Sequence, residues 1–147
     1  MERKDKKTLD EAALKEKLGP EAYHVVREKG TDAPFSHPYD GLFEEGIYVD
    51  VITKEVLFLS KDKFNAGCGW PSFAKTAPGA DVEEETDGRF GMIRTEVKTD
   101  TTHLGHVFND GPEELGGLRY CINGSSIEFI PKEEMEERGY GEWLEKL

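Results

Sequence analysis

The chain has 147 residues and a formal net charge of −12, with 36% hydrophobic and 34% charged residues. This length suits one domain around one hydrophobic core, and the acidic excess would repel phosphate backbones, so we expect no nucleic acid partner. No apolar run approaches a membrane span and no apolar signal region follows the basic start, which predicts a soluble, cytoplasmic protein without a membrane partner.

The front of the chain predicts two short helices and an extended connector. "TLDEAALKEKLG" has the capping-box spacing, Thr8 to Glu11, before an apolar stripe. Gly19-Pro20 ends this helix and begins a second one, which we expect to stop at Gly30. Two prolines then favour extended chain. We interpret this front part as a clamp on the core.

From Gly46 the pattern changes to the two-residue period of β-strands. "GIYVDVITKEVLFLS" alternates around a turn near Thr53-Lys54 and is rich in β-branched and aromatic residues. The tail from Pro131 predicts a helix that breaks at Gly139. Further strands are predicted at Val82–Glu85, "MIRTEV", "HLGHVF", "RYCIN" and "SIEFI".

These elements predict a mainly β fold, because no crossover helices separate the strands. We expect two antiparallel sheets in a compact barrel-like or tent-like arrangement, with short N-terminal helices and a C-terminal helix. One domain would span 1–147, with a helical segment at 1–40, a β core carrying the chemistry at 41–130, and a helical tail at 131–147.

Three stretches gather residues that suggest chemistry: "GCGWPSF" (67–73), "HLGHVFNDG" (103–111) and "RYCINGSS" (119–126). Each also has a plain structural explanation. His103 and His106 would lie on opposite faces of a regular strand unless Gly105 hosts a bulge. Trp70 suits a core position, and Asn123 suits a turn.

The two cysteines are the most informative residues. Cys68 lies between two glycines, which fits either a moving thiol or a tight turn. In a reducing compartment a stable disulfide is a weaker explanation than a reactive or buried thiol. At this level Cys121 stays open between a packing residue, a metal ligand, half of a disulfide and a nucleophile. Nearby, Asp110 and Arg119 would by default form a surface ion pair.

Taken together and in order, the three stretches resemble the methionine-R-sulfoxide reductase family, the B type. Further agreement lies in "GIYVDVITKEVLF", "DKFNAGCGWPSF" and "EAYHVVREKGTDAPF", so the resemblance runs from about Glu21 to Ile130. It implies thiol-dependent reduction of the R epimer of methionine sulfoxide in oxidised proteins, with the free amino acid left open as a substrate. It also implies thioredoxin as reductant and no cofactor.

The resemblance assigns the central roles. Cys121 is expected to attack the sulfoxide sulfur and to be left as a sulfenic acid, with Arg119 favouring its thiolate. Either His103 or His106 is expected to donate the proton. Cys68 is expected to resolve the sulfenic acid as a Cys68–Cys121 disulfide that passes to thioredoxin.

The resemblance also assigns supporting roles. Asp110 and Asn123 match positions that orient the reacting groups through hydrogen bonds. Trp70 matches the tryptophan on which the substrate methyl group packs, and Phe108 is a candidate second wall.

One departure concerns a structural metal. Many relatives carry two Cys-x-x-Cys pairs that bind zinc, and these positions are here Asp50, Thr53, Val97 and Asp100. Since valine and threonine offer no usable zinc ligand, we expect a zinc-free variant that relies on packing in that corner.

Three other functions remain open. A small β-barrel metalloenzyme with a histidine pair would need a third ligand and leaves "RYCIN" and Trp70 unexplained. A thiol-containing binding module would hold oxidised methionine without consuming dithiothreitol. A thioredoxin-type exchanger would need a Cys-x-x-Cys motif and a βαβ pattern, which the chain lacks.

Overall fold

The computed structural model describes residues 11–88 and 93–147. Two helices come first, α1 (Glu11–Leu18) and α2 (Pro20–Glu28), and the break between them lies at Gly19-Pro20 as predicted. Helix α2 ends before Gly30 because Lys29 takes a left-handed conformation with φ of 59°. The predicted capping-box residue Thr8 lies outside the described residues.

The smaller sheet has the strand order β2-β1-β9, and all its neighbours are antiparallel. Its central strand is buried on both faces, although the alternating sequence favours one buried face. Tyr48 packs into the core between the sheets, whereas Ile47 and Val49 pack against the C-terminal segment. The predicted turn occurs at Lys54, which has a φ of 67°. The strands are β1 (Gly46–Asp50), β2 (Val56–Leu59) and β9 (Ile127–Pro131).

The larger sheet is also antiparallel, with the order β3-β4-β8-β7-β6-β5. The two sheets share one apolar core, and no closed barrel forms among the described strands. Strands β3 and β4 have two residues each, too short to give a sequence pattern. The predicted strand "MIRTEV" begins at Met92, outside the described residues. The strands are β3 (Lys63–Phe64), β4 (Ser72–Phe73), β5 (Glu83–Asp87), β6 (Arg94–Lys98), β7 (His103–Phe108) and β8 (Arg119–Ile122).

The tail covers the outer face of the smaller sheet. It consists of α3 (Lys132–Met135) and a 3-10 helix (Gly141–Lys146), with the predicted break at Gly139, whose φ is 90°. Met135 and Tyr140 are buried in the same apolar cluster as Ile47 and Ile130. Within 11–88 and 93–147, no helix has both the length and the apolar character required to cross a membrane.

Candidate active site

Two thiols meet beside the larger sheet. Cys121 lies on β8 opposite Ser72 of β4, and Cys68 lies on the loop between β3 and β4. The two Sγ atoms are 3.2 Å apart. The Ser72 hydroxyl lies 3.3 Å from the Cys68 Sγ and 3.8 Å from the Cys121 Sγ. Sheet pairing therefore brings together two cysteines that are far apart in the chain.

The glycines around Cys68 form a tight turn. Gly67 and Gly69 have φ values of 70° and 93°, which side chains with a Cβ rarely adopt. A Cβ on Gly69 would also lie 2.8 Å from the Cβ of Pro34, so this glycine is needed for close contact with the connector. The turn holds the Cys68 thiol against Cys121.

Arg119 links the thiol pair to a carboxylate. Its Nη1 donates to the Cys121 Sγ at 2.9 Å. Its Nε and Nη2 donate to the two oxygens of Asp110 at 2.8 and 3.1 Å, and these hydrogen bonds lower the pKa of Asp110. The guanidinium carbon also lies 4.4 Å from the centre of the Phe108 ring. This bidentate pairing and the stacking fix the arginine in the orientation that reaches the thiol.

The two thiols differ in acidity. Burial raises the pKa of Cys121 to about 12, Cys68 adds to this rise, and Arg119 opposes it. Burial also acts to raise the pKa of Cys68, but hydrogen bonds with Ser72, the Trp70 backbone and Cys121 outweigh it and lower that pKa. Arg119 thus acts in the expected direction on Cys121, yet burial and Cys68 outweigh it in the reduced pair. Since thiols in contact titrate together, the first proton lost belongs to the pair as a whole.

The thiols line two different openings. Cys121 faces a cavity of about 250 Å³, which we call the catalytic cavity. Cys68 instead lines a groove of about 490 Å³ on the other side of Arg119, which we call the Cys68 groove. The other residues lining the catalytic cavity are Thr31, Trp70, Arg94, Gly105, His106, Phe108, Arg119 and Asn123.

A bulge next to Gly105 brings the two histidines to one side of β7, which is the condition that the sequence analysis named for a shared face. Gly105 pairs with Val97 and His103 pairs with Lys98, so β7 advances two residues where β6 advances one. The ring centres of His103 and His106 are 5.9 Å apart. The extra residue reverses the alternation, which explains how positions three apart share a face.

The two histidines nevertheless occupy different surroundings. His106 lines the catalytic cavity, and its Nε2 lies 2.9 Å from a carboxylate oxygen of Asp87. His103 lines another cavity, and its Nδ1 lies 2.7 Å from Glu96. Burial acts to raise the pKa of Glu96, but hydrogen bonds from His103 and Lys29 outweigh it and lower that pKa. Of these two histidines, His106 lines the cavity that Cys121 faces, and His103 lines a different one.

The N-terminal connector forms one wall of the catalytic cavity. The Asp32 carbonyl oxygen accepts a hydrogen bond from the Trp70 indole at 2.9 Å, and the Asp32 N–H donates to the Asn123 Oδ1 at 2.9 Å. The Asn123 amide also donates to the Leu104 carbonyl at 3.0 Å. The Asp32 carboxylate accepts hydrogen bonds from the N–H and hydroxyl of Ser125. One connector residue therefore positions both the tryptophan and the asparagine.

Sequence reasoning missed four residues of this region. Ser72 lies inside a quoted motif but carries no signal of its own, and its contact with both thiols follows from its pairing with Cys121. Asp87 and Glu96 hold the histidines, and Arg94 lines the cavity. In the sequence these charged residues look like their exposed neighbours on the same strands. Cross-strand register would be needed to find them.

The corner that corresponds to the zinc site of relatives does not fit a metal. Val97 is buried in the apolar core, and Asp50 is buried with both carboxylate oxygens accepting hydrogen bonds. Within the described ranges, no three His, Cys, Asp or Glu side chains are grouped to hold a metal ion. The expectation of packing alone was incomplete, because a buried carboxylate needs donors. They are the N–H groups of Ile52 and Thr53 and the hydroxyls of Thr99, Thr101 and Thr102.

The chain matches a model of a known protein family. The family model described as the SelR domain covers residues 18–131, which is most of the 147-residue chain. The matched span includes both cysteines, both β7 histidines and the Arg119–Asp110 pair. It nearly coincides with the range over which the sequence motifs agree.

Proposed function

The chain belongs to the SelR domain family, the peptide-methionine (R)-S-oxide reductases of the B type, and we propose that it reduces methionine-R-sulfoxide through its two cysteines. Its substrates are oxidised proteins that carry methionine sulfoxide. The observation that carries the proposal is the 3.2 Å contact between two thiols of which one, Cys121, faces a cavity. Family membership favours an enzyme over a binding module.

Cys121 is the proposed nucleophile. After the thiol pair has lost one proton, the two sulfur atoms share the one that remains. When that proton is bound to Cys68, Cys121 is the thiolate. The Arg119 guanidinium, 2.9 Å from the Cys121 Sγ, stabilises the charge there. The thiolate attacks the sulfoxide sulfur and the oxygen passes to Cys121, which becomes a sulfenic acid as methionine leaves. The cysteine sulfur loses two electrons and the methionine sulfur gains them.

His106 is the proposed proton donor to the sulfoxide oxygen. It lines the same cavity as Cys121, whereas His103 lies in another. The Nε2 of His106 is hydrogen-bonded to Asp87, so Nδ1 is the proposed nitrogen that donates to the substrate. The contact with Asp87 also fixes the orientation of the ring, which a proton donor requires.

Trp70 and Phe108 are the proposed walls for the methyl group and carbon chain of the substrate. Both rings line the catalytic cavity, and Trp70 is fixed by its hydrogen bond to Asp32. Aromatic faces suit a methyl group bound to sulfur. Asn123 is proposed to orient the reacting groups from the cavity wall. Asp110 is proposed to orient them indirectly, through its hydrogen bonds with Arg119.

Cys68 is the proposed resolving residue. Its thiol attacks the sulfenic sulfur of Cys121, water leaves, and a Cys68–Cys121 disulfide forms. Thioredoxin then attacks Cys68 from the Cys68 groove, so that Cys121 leaves as a thiolate beside Arg119. A stabilised leaving thiolate speeds exchange. We propose a cytoplasmic location, because the cycle depends on a supply of reduced thioredoxin.

The primary experiment uses separate R and S epimers of a blocked methionine sulfoxide with dithiothreitol. We expect reduction of the R epimer only. Comparable turnover of both epimers would overturn the assignment of substrate. The free amino acid, assayed in parallel, shows whether the activity extends beyond protein-bound residues.

A second experiment tests the resolving step. One equivalent of substrate should release methionine from the reduced protein and leave an internal disulfide. Cys68→Ser should still release one methionine per chain and then stall with thioredoxin as the sole reductant, while dithiothreitol restores turnover. Full activity of Cys68→Ser with thioredoxin would show that Cys68 is a packing residue and does not resolve the sulfenic acid. Cys121→Ser, which should release no methionine, is the matched control.

A further inference from the structure

A second depression adjoins the catalytic cavity. It has a volume of about 360 Å³ and shares Arg94 and Phe108 with the catalytic cavity. We call it the outer groove, and its other lining residues that matter here are Glu84, Ile93 and Leu118. A ligand that fills the catalytic cavity and extends past Phe108 would therefore enter the outer groove.

The outer groove is apolar where it meets solvent. Ile93 is 85% exposed and Leu118 is 39% exposed, although both are large apolar residues. Val107 completes the apolar lining. Exposed apolar side chains grouped beside a catalytic cavity are typical of a surface that binds another chain.

Arg94 supplies a polar contact between the two depressions. Its Nε is buried and has no hydrogen-bond partner within the part of the chain that the structure describes. Arg94 nevertheless lines both depressions, and a guanidinium carries five N–H donors, so its other N–H groups suit an acceptor on a ligand there. The mechanism proposed above gives Arg94 no role. A main-chain carbonyl oxygen is an acceptor that every peptide carries next to its methionine sulfoxide.

We propose that the outer groove is a subsite for the polypeptide that flanks the methionine sulfoxide. Arg94 binds a main-chain carbonyl of the substrate, and Ile93 and Leu118 bind an apolar side chain beside the oxidised residue. Glu84 at the edge disfavours an acidic neighbour and favours a basic one, as does the net charge of −12. The inference rests on the proposed use of the catalytic cavity and defines the substrate class as polypeptide with apolar or basic residues beside the methionine sulfoxide.

The test compares kcat/KM for blocked methionine-R-sulfoxide with that for pentapeptides carrying Leu, Lys or Glu on either side of it. We expect the Leu peptide to exceed the Glu peptide by roughly tenfold, the scale of one apolar contact in a pocket. The double variant Ile93→Ser/Leu118→Ser should lower the ratio of Leu peptide to blocked amino acid about tenfold. Leu115→Ser is the matched control, because Leu115 is 47% exposed and does not line the groove.

The outcomes separate the two proposals. If blocked methionine-R-sulfoxide is not reduced, the proposed function fails. If it is reduced but the double variant gives the same peptide ratio as Leu115→Ser, the outer groove is not a subsite. Glu84→Lys, a surface change that spares folding, should reverse the preference between Lys and Glu peptides, and an unchanged preference would remove the charge argument.

Discussion

Two polar clusters of this protein use similar chemical groups in opposite ways. The thiol site (Cys68, Cys121, Arg119 and Asp110) is half-buried and lines two openings. In the threonine corner (Asp50, Thr99, Thr101 and Thr102), Asp50 is buried and both its carboxylate oxygens accept protein hydrogen bonds, although the three threonines line the same cavity as His103.

The two clusters differ in whether their donors and acceptors are all satisfied by hydrogen bonds within the protein. In the threonine corner the hydroxyl and N–H donors satisfy both oxygens of the buried Asp50 carboxylate, which stabilises the fold. In the thiol site, one arm of Arg119 contacts a sulfur that faces a cavity, and the cavity also contains His106. Polar groups that are fixed but incompletely used are the ones that can act on a ligand. Mutations in the two clusters should therefore separate activity from stability.

The largest effect is expected for Cys121→Ser. The hydroxyl is a far weaker nucleophile at neutral pH, so methionine release should fall on the order of 10³-fold or more. The melting temperature should stay near that of the parent, because the change is nearly isosteric. Release of methionine from the variant at even a tenth of the parental rate would assign the attack to another group.

Asp50→Ala should produce the converse result. It leaves buried hydroxyls and two N–H groups without their acceptor, which should lower the free energy of unfolding by about 2–4 kcal/mol. For a chain of this size the melting temperature should fall by about 5–15 °C. Activity per folded molecule at low temperature should be kept, so a loss of kcat without a loss of stability would contradict the comparison. Thr102→Val, which removes one hydroxyl, should cost about 1 kcal/mol.

A smaller effect is expected on thiol reactivity. Because hydrogen bonds lower the pKa of Cys68 while burial and Cys68 raise that of Cys121 to about 12, limiting iodoacetamide near neutral pH should label Cys68 first. Cys68 contributes to the raised pKa of Cys121, and the variant Cys68→Ser removes this contribution. The pKa of Cys121 should therefore fall, and its alkylation should become severalfold faster. Peptide mass spectrometry over a pH series measures both. Faster labelling of Cys121 than of Cys68 in the parent protein would contradict the expected order of ionisation.

Much of the fold could be predicted because strands longer than three residues leave a pattern in the sequence. The strand at "HLGHVF" and the helix break at Gly19-Pro20 are confirmed. The double burial of β1 was missed, since alternation does not show that the tail packs on the second face. The two-residue strands were missed because no period fits so few residues.

The candidate site divides in the same way. Motif residues such as Trp70 and Cys121 were found together, and the structure places them on one cavity. Ser72, Asp87 and Arg94 reach that region through cross-strand neighbours, which depend on register. The bulge near Gly105 was named in the sequence analysis only as the condition under which the two histidines would share a face, and the register shows it. Partners set by tertiary contacts leave no trace in local spacing.

The smallest expected effect is that of metal removal, which tests whether the threonine corner is complete by itself. The positions of the cysteine pairs in zinc-binding relatives here hold Asp50, Thr53, Val97 and Asp100, and Val97 is buried among apolar side chains. Asp50 already accepts five hydrogen bonds, so a cation would have to displace donors before it gained a ligand.

Purified protein should contain no stoichiometric zinc, and dialysis against a chelator should leave the melting temperature and turnover unchanged. One zinc per chain that survives the chelator, or a melting temperature that falls on its removal, would show that the hydrogen bonds do not replace the metal. Asp50→Ala measured in parallel is the control, because its melting temperature must fall in both conditions if the corner depends on hydrogen bonds.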